Sequence, residues 1–140
     1  MTALEWKLQV VVLPVSDVDR AKAFYLDRVG FDLQVDHRAG ESFRVVHLIP
    51  RGSAVAVALM KNELAAGSVS GLQLVVTDIE AAHAELVEGG VDPGDLVHFV
   101  DGEQQPGPHP GRGDYESFFS FSDPDGNQWM VQEVREAAAR

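Results

Sequence analysis

The chain of 140 residues contains no cysteine, so disulfide bonds and thiolate chemistry are excluded. This composition is compatible with a reducing compartment, and we expect a cytoplasmic protein. No apolar run approaches the roughly 18 residues that a membrane span needs. The segment Met1 to Lys7 lacks the basic stretch, long apolar core and cleavage site of a signal peptide. We therefore expect no membrane partner.

Basic residues are also scarce. Eleven lysines and arginines stand against 22 acidic residues, which gives a formal net charge of −11. Such a charge repels nucleic acid and anionic lipid, so neither is expected as a partner. The hydrophobic content of 45% is ordinary for a globular protein, and the length is that of one domain, predicted to span residues 1–140.

An internal repeat occupies most of the chain. Residues 9–31 predict a strand followed by a helix, and residues 72–91 predict the same pair. Asp17 and Asp78 stand at equivalent places in the two copies. Two copies of one pattern predict two modules of similar structure.

The start of each predicted helix carries the spacing of a capping box. Ser16 with Asp19, and Thr77 with Glu80, place a hydroxyl three residues before an acid, so we expect Ser16 and Thr77 to cap the helices. Glycine accepts a left-handed conformation cheaply and often ends a helix. The predicted ends are Gly30 and Gly89-Gly90.

Three strands are predicted after each helix, so that each half reads strand, helix, strand, strand, strand. A polar linker at 61–70 separates the halves. Residues 101–114 contain three prolines and four glycines, and we expect no regular structure there. Loops of this length are often lids, and this one is expected at the mouth of a cavity, with a surface loop without ligand contact as the alternative. The predicted strands are 31–35, 43–49, 54–60, 95–100, 115–121 and 128–134.

The order of these motifs resembles the vicinal oxygen chelate superfamily, which includes glyoxalase I, extradiol dioxygenases, fosfomycin resistance proteins and bleomycin resistance proteins. The resemblance covers roughly residues 8–134 and is specific for the fold, not for one activity. The matching segments are Val15-Ser16-Asp17-Val18-Asp19-Arg20-Ala21, Phe24-Tyr25, Val29-Gly30-Phe31, Val76-Thr77-Asp78-Ile79-Glu80-Ala81-Ala82 and Asp123-Pro124-Asp125-Gly126-Asn127.

The resemblance implies an α+β fold of two βαβββ modules whose curved mixed sheet encloses a cavity. Module one would span about 8–60 and module two about 71–134. It also implies a homodimer. In the members that use a metal, four cavity-facing positions on the first and fourth strands of each module bind a divalent ion.

Those four positions in this chain hold no metal ligand. Counting from the helix-start and turn motifs places them at Val10, Ala58, Gly71 and Met130. None of these residues offers a carboxylate or an imidazole, which divalent ions require. We expect no metal and no other cofactor, with a divalent metal held by displaced ligands as the alternative.

Strand alternation extends these positions into a predicted cavity wall. It would be small and apolar at its floor, with glutamine amides as polar handles, and that suits an organic ligand. Alternation turns Glu133 away from this wall. Arg38 and Arg44 would either clamp a ligand carboxylate or lie on the strand surface, and His83 is expected to be solvated. The predicted cavity residues are Val10, Val12, Ala56, Ala58, Gly71, Gln73, Gln128, Met130 and Gln132, with His47, His109, Arg112 and Tyr115 also near ligand.

The favoured interpretation is a metal-free protein that binds a small organic molecule, similar to bleomycin resistance proteins, for sequestration of a drug or metabolite. No nucleophile, general base or phosphate loop is evident, so catalysis is not favoured and no catalytic residue is predicted. The alternatives are a glyoxalase-like lyase or isomerase, a dioxygenase with non-standard metal ligands, and a regulatory domain whose cavity is vestigial.

Overall fold

The structure, a computed structural model, describes residues 4–135. They fall into two compact units, unit one ending at Ala66 and unit two beginning at Gly67. The boundary lies inside the predicted linker 61–70. The predicted domain limits at residues 1 and 140 lie outside the described residues. Neither helix in residues 4–135 has the length and apolar character needed to cross a bilayer.

Unit one has the predicted order of one helix and four strands. The strands form one sheet, sheet one, in the order β1-β4-β3-β2; β1 and β4 run parallel and the other neighbours antiparallel. A parallel pair needs a crossover, and the helix supplies it. The elements are β1 (Val10–Pro14), α1 (Val18–Ala23) with a π-helical continuation (Phe24–Val29), β2 (Asp32–Ala39), β3 (Phe43–Ile49) and β4 (Ala56–Met60).

One face of sheet one packs under the helix and forms the core of the unit. Leu13, Val46, Leu48 and Leu59 alternate along their strands onto this face and are fully buried, as is Tyr25 of the π-helical segment. The helix therefore belongs on this side of the sheet. The opposite face carries the other half of each strand's side chains.

The helix ends as predicted, at Gly30. Its φ of 90° is left-handed, and its amide donates to the carbonyl of Tyr25 at 3.0 Å. The bond spans five residues, so the last turns are wider than an α-helix. Phe31 then stacks on the Tyr25 ring at 5.6 Å between centroids, which fixes the direction in which the chain leaves the helix.

Unit two contains one strand more than predicted. Its sheet, sheet two, has the order β5-β9-β8-β6-β7, with β5 and β9 parallel. Trp129, Val131 and Phe119 are buried on the face toward the helix. The elements are β5 (Leu72–Val76), α2 (Ile79–Glu88), β6 (Val97–Val100), β7 (Glu103–Pro106), β8 (Ser117–Ser122) and β9 (Gln128–Glu133).

The prediction that residues 101–114 hold no regular structure is wrong for Glu103–Pro106, which pairs antiparallel with β6 as β7. Asp101 and Gly102 both have positive φ, 50° and 82°. An Asp-Gly pair of this kind makes the tight turn whose twist matches a hairpin. Pro106 ends an edge strand, where a missing amide is tolerated.

The predicted helix caps are off by one residue. The Oδ1 atom of Asp17 accepts a hydrogen bond from the Arg20 amide at 3.0 Å, and Oδ1 of Asp78 accepts from the Ala81 amide at 3.2 Å. These aspartates have extended backbones and stand at the N-cap. The capping boxes predicted from Ser16 and Thr77 are therefore wrong, although the predicted helix starts are close.

His83, predicted to be solvated, is half-buried and makes two contacts. Its Nε2 atom is 2.9 Å from the carbonyl oxygen of Gly94, and its ring meets Phe119 edge-on at 5.0 Å. His83 therefore ties the middle of α2 to the segment before β6 and to the core of sheet two.

Candidate ligand-binding faces

The face of sheet one opposite its helix gathers the five predicted cavity residues of unit one. Val10 pairs with Ala56 and Val12 with Ala58, and Ala58 also pairs with His47 of β3. Paired residues point to the same side of a sheet. Ala56 and Ala58 are each 2% exposed, whereas the two valines and His47 are half-buried. The result is a shallow apolar surface with one imidazole.

The corresponding face of sheet two carries the predicted amides. Gln73 pairs with Met130, and Val75 pairs with Gln132. The Gln132 side-chain amide donates to Oε1 of Gln73 at 3.2 Å. Gln128 lies on the same side of β9, one alternation before Met130. We call this surface, Gln73, Val75, Gln128, Met130 and Gln132, the amide face.

The amide face is exposed although it contains large apolar groups. Val75 is 48% and Met130 39% exposed, whereas Ala56 and Ala58 on the corresponding face of sheet one are each 2% exposed. An exposed apolar patch with convergent hydrogen-bonding groups is a candidate surface for a ligand or another chain. The two glutamines that bond each other also keep free lone pairs and N–H groups for a second partner.

Sequence reasoning missed two aromatic side chains beside the amide face. Phe118 pairs with Gln132 and with Val97, so it lies on the same side of the sheet. Phe99 meets the Phe118 ring edge-on at 5.8 Å and is 48% exposed. The signal was present, because strand alternation turns Phe118 to the side opposite the core residues Phe119 and Phe121.

Gly71, another of the predicted cavity residues, lies just before β5. Its φ of 87° is left-handed, and a Cβ atom there would meet no heavy atom within 4 Å. The residue is exposed. Gly71 thus lets the chain turn into β5 next to Gln73 and offers backbone only, without a side chain that could touch a ligand.

The family's metal positions do not fit a metal. In unit one they are Val10 and Ala58, and in unit two Gly71 and Met130. Across residues 4–135, no group of three or more histidine, aspartate or glutamate side chains is arranged to hold an ion. These positions carry two aliphatic side chains, a glycine and a thioether, and none of them ligates hard or borderline divalent cations. No reaction step through a metal follows from these residues.

Arg112 lies away from the amide face. Its Nε and Nη2 atoms donate to the two carboxylate oxygens of Glu133 at 3.0 and 2.7 Å. Glu133 is fully buried on the helix side of sheet two and accepts a further bond from the Ile79 amide at 2.9 Å. Arg112 also pairs with Glu80, and with Asp78 at 3.4 Å. The structure therefore does not bring Arg112 together with the glutamines.

The ion pair between Arg112 and Glu133 shifts the pKa of both side chains toward their charged forms. The Arg112 guanidinium and the Ile79 amide hold the pKa of Glu133 below its ordinary value, against the opposing effect of burial. The Glu133 carboxylate in turn raises the pKa of Arg112. Both side chains are charged at neutral pH, and the pair fastens the loop after β7 to the start of α2.

His109 and Tyr115, the other two predicted loop contacts, are held by backbone bonds. The His109 amide donates to Oγ of Ser117 at 2.9 Å, and its ring lies 5.4 Å from that of His98. Ser117 is buried on the helix side. The Tyr115 amide donates to the Glu133 carbonyl at 2.8 Å, and its side chain is 53% exposed. Ligand contact by these two residues stays a prediction.

Comparison with known proteins agrees with the fold. The chain is 30% identical to TnmS3, described as an antibiotic binding protein from Streptomyces sp. CB03234, with a TM-score of 0.74 over 95% of this chain and 99% of that one. A superfamily member from Sphaerobacter thermophilus DSM 20745 is 29% identical, with a TM-score of 0.71 over 92% and 98% of the two chains. The uncharacterized protein YetH of Bacillus subtilis (strain 168) is 25% identical over 91% of this chain and 98% of its own.

A family match covers nearly the whole repeat. Residues 7–131 match the Glyoxalase/Bleomycin resistance protein/Dioxygenase superfamily. The helix-and-strand order of unit one and the Asp-Pro-Asp-Gly-Asn turn before β9 are features that the sequence resemblance led us to expect. The chain belongs to the Glyoxalase/Bleomycin resistance protein/Dioxygenase superfamily.

Proposed function

We propose that this protein binds and sequesters a small organic molecule at the amide face, without a metal. The observation that carries the proposal is the exposed pairing of Gln73 with Gln132 beside the exposed thioether of Met130. Apolar surface supplies non-directional affinity, and the amides orient the bound molecule through hydrogen bonds.

The chemistry of the surface favours a flat, partly aromatic ligand with carbonyl or hydroxyl groups. Phe99 and Phe118 provide ring edges and faces for stacking, and Met130 provides a polarisable contact. A primary amide can donate to a ligand carbonyl and accept from a hydroxyl. The description of TnmS3 as an antibiotic binding protein supports a drug-like ligand of this class.

Calorimetric titration with a panel of aromatic antibiotics that includes bleomycin tests the proposal. We expect one panel member to bind at micromolar affinity or better, and Gln132→Leu and Met130→Ala each to weaken it by about tenfold. Gln9→Ala, an exposed glutamine before β1, is the matched control and should leave affinity unchanged. Binding that is indifferent to both amide-face variants would contradict the assignment of the site.

The proposal includes a homodimer in the cytoplasm. Support for the dimer comes from the segment before β1, where Leu4, Trp6 and Leu8 are 78%, 89% and 67% exposed. Large apolar groups at alternate positions of an extended segment are typical of a surface that another chain covers. Sedimentation velocity should give the mass of two chains, and a single chain across micromolar concentrations would contradict it.

A further inference from the structure

Unit one contains a cavity on the helix side of sheet one, away from its open face. Its volume is about 330 Å³. Residues 16–19 at the start of α1, residues 41–44 around the start of β3, Arg38 of β2 and Lys61 after β4 line it. The lining is mostly charged, whereas the open faces carry amides and apolar groups. The two kinds of surface therefore suit different ligands.

One wall of the cavity is fixed by Arg44. Its Nε and Nη2 atoms donate to Asp36 at 3.1 and 2.9 Å, and its Nη1 atom pairs with Asp19. Arg44 and Lys22 together hold the pKa of Asp36 well below its usual range. The Arg44 charge is thus already balanced by two carboxylates, and its side chain acts as a rigid part of the wall.

Two other cations line the cavity without a close ion pair, although, after Arg44, the charge of Arg38 also contributes to lowering the pKa of Asp19. Arg38 stands directly opposite Arg44 in the β2–β3 register, so the two guanidinium groups share a face of the sheet. Within residues 4–135, the side chains of Arg38 and Lys61 make no ion pair and no hydrogen bond. Like charges on opposed strand positions repel, and an added anion relieves that repulsion.

The cavity lining carries three carboxylates and three cations, but two of the carboxylates are already engaged. Asp19 is paired with Arg44, and Asp17 accepts the Arg20 amide as the helix cap. Glu41 in the β2–β3 turn remains as the opposing negative charge. We propose that this cavity is a second ligand site, which takes a small molecule bearing a carboxylate or phosphate group at Arg38 and Lys61. Oxyanions accept hydrogen bonds from both kinds of cation, and guanidinium matches them in shape.

The test is an NMR titration of ¹⁵N-labelled full chain with inorganic phosphate and, separately, with succinate, at constant ionic strength. We expect saturable shifts in residues 16–19, 38–44 and 61, at concentrations on the order of 1–10 mM because the net charge disfavours anions. Arg38→Gln and Lys61→Gln should each weaken binding about fivefold, and Glu41→Gln should strengthen it about twofold. Lys7→Gln, a distant exposed lysine, is the control and should change nothing.

Each outcome decides the proposal. Saturation by phosphate alone, or by succinate alone, supports the site and identifies the group that it prefers. Shifts that rise linearly to about 50 mM, or that spread over unit two, would overturn it. Equal weakening by Lys7→Gln and Lys61→Gln would also overturn it, because the effect would then come from overall charge. Thermal melts of every variant establish that each one is folded.

Discussion

At the scale of single residues, the pair between Arg112 and Glu133 shows where sequence reasoning succeeds and where it stops. Alternation in β9 predicts that Glu133 points away from the amide face, and the structure confirms it with a fully buried carboxylate. Nothing in the sequence indicated that Arg112 would be its partner, because 21 residues separate them and the loop between folds back through tertiary contacts. From sequence alone, an arginine in a polar loop is equally consistent with exposure to solvent, contact with a ligand or an ion pair.

Removal of Arg112 should destabilise unit two more than removal of the Glu133 charge. Arg112→Ala leaves a buried carboxylate with the Ile79 amide as its remaining hydrogen-bond donor and Arg135 at 3.8 Å, and we expect a loss of about 3 kcal/mol in the free energy of unfolding. Glu133→Gln keeps an acceptor for that amide and should cost about 1–2 kcal/mol. Urea denaturation measures both, with Lys7→Ala as control. A cost for Arg112→Ala below that of the control would show that the pair contributes nothing.

The same pair makes stability depend on acid in a defined direction. The pKa of Glu133 is lower in the folded chain than in the unfolded one, so the unfolded chain binds more protons as the pH falls. The stabilisation is therefore complete above the unfolded value of about 4.3 and is lost below it. Between pH 5 and 3, Glu133→Gln should lose less stability than the natural chain. If the free energy of unfolding, measured by urea denaturation, falls equally with pH in both proteins, this expectation is contradicted.

At the scale of elements, the sequence predicted most of the pieces and missed those that depend on backbone geometry. The helix stop at Gly30 followed from glycine alone. Strand β7 was missed because prolines and glycines in residues 101–114 outweighed the Asp101-Gly102 turn signal. The caps moved by one residue because Asp17 and Asp78, not the preceding hydroxyls, reach the helix amides. Residue preferences for the N-cap do not distinguish between neighbouring serine or threonine and aspartate, because all of them are favoured there.

Alanine substitutions at two glycines distinguish the cost of a left-handed backbone from the cost of a steric clash. Gly52 and Gly67 both have left-handed φ values, 86° and 81°. A Cβ atom on Gly52 would meet nothing within 4 Å, whereas one on Gly67 would lie 1.9 Å from the Asp125 carbonyl oxygen. Gly52→Ala should cost about 1 kcal/mol, and Gly67→Ala about 2–3 kcal/mol more.

Thermal unfolding of the two alanine variants side by side measures the difference. The turn that Gly67 approaches is held by Asp123, whose Oδ1 atom accepts the amides of Asp125, Gly126 and Asn127 at 2.9–3.0 Å. It therefore has little freedom to move aside. Equal melting temperatures for the two variants would mean that the turn yields and that the close approach has no energetic consequence.

At the scale of the whole molecule, the repeat and its motifs were enough to predict the superfamily and the α+β class, because helix starts, glycine stops and the Asp-Pro-Asp-Gly-Asn turn are local signals in a fixed order. Alternation also placed the glutamines on one face of sheet two. The aromatic neighbours Phe99 and Phe118 were missed because the register between β6 and β8 sets their position. The cavity between modules that the resemblance implies, the dimer and the absence of a cofactor stay predictions.

We propose that binding at the amide face needs no metal, and tryptophan fluorescence can test this. Trp129 precedes Met130 in β9, and its buried side chain lies on the opposite face of the sheet. Trp6 is 89% exposed and would add background fluorescence. The Trp6→Phe variant removes that background and leaves Trp129 as the one tryptophan. The Trp6→Phe protein would be titrated with the tightest-binding antibiotic of the panel while the fluorescence of Trp129 is recorded. The titration would be repeated after exhaustive chelation, and the metal content would be measured on the same sample. We predict below about 0.1 equivalent of divalent metal and the same dissociation constant in both titrations. Stoichiometric zinc, nickel, iron or manganese, with binding lost on chelation, would contradict the account.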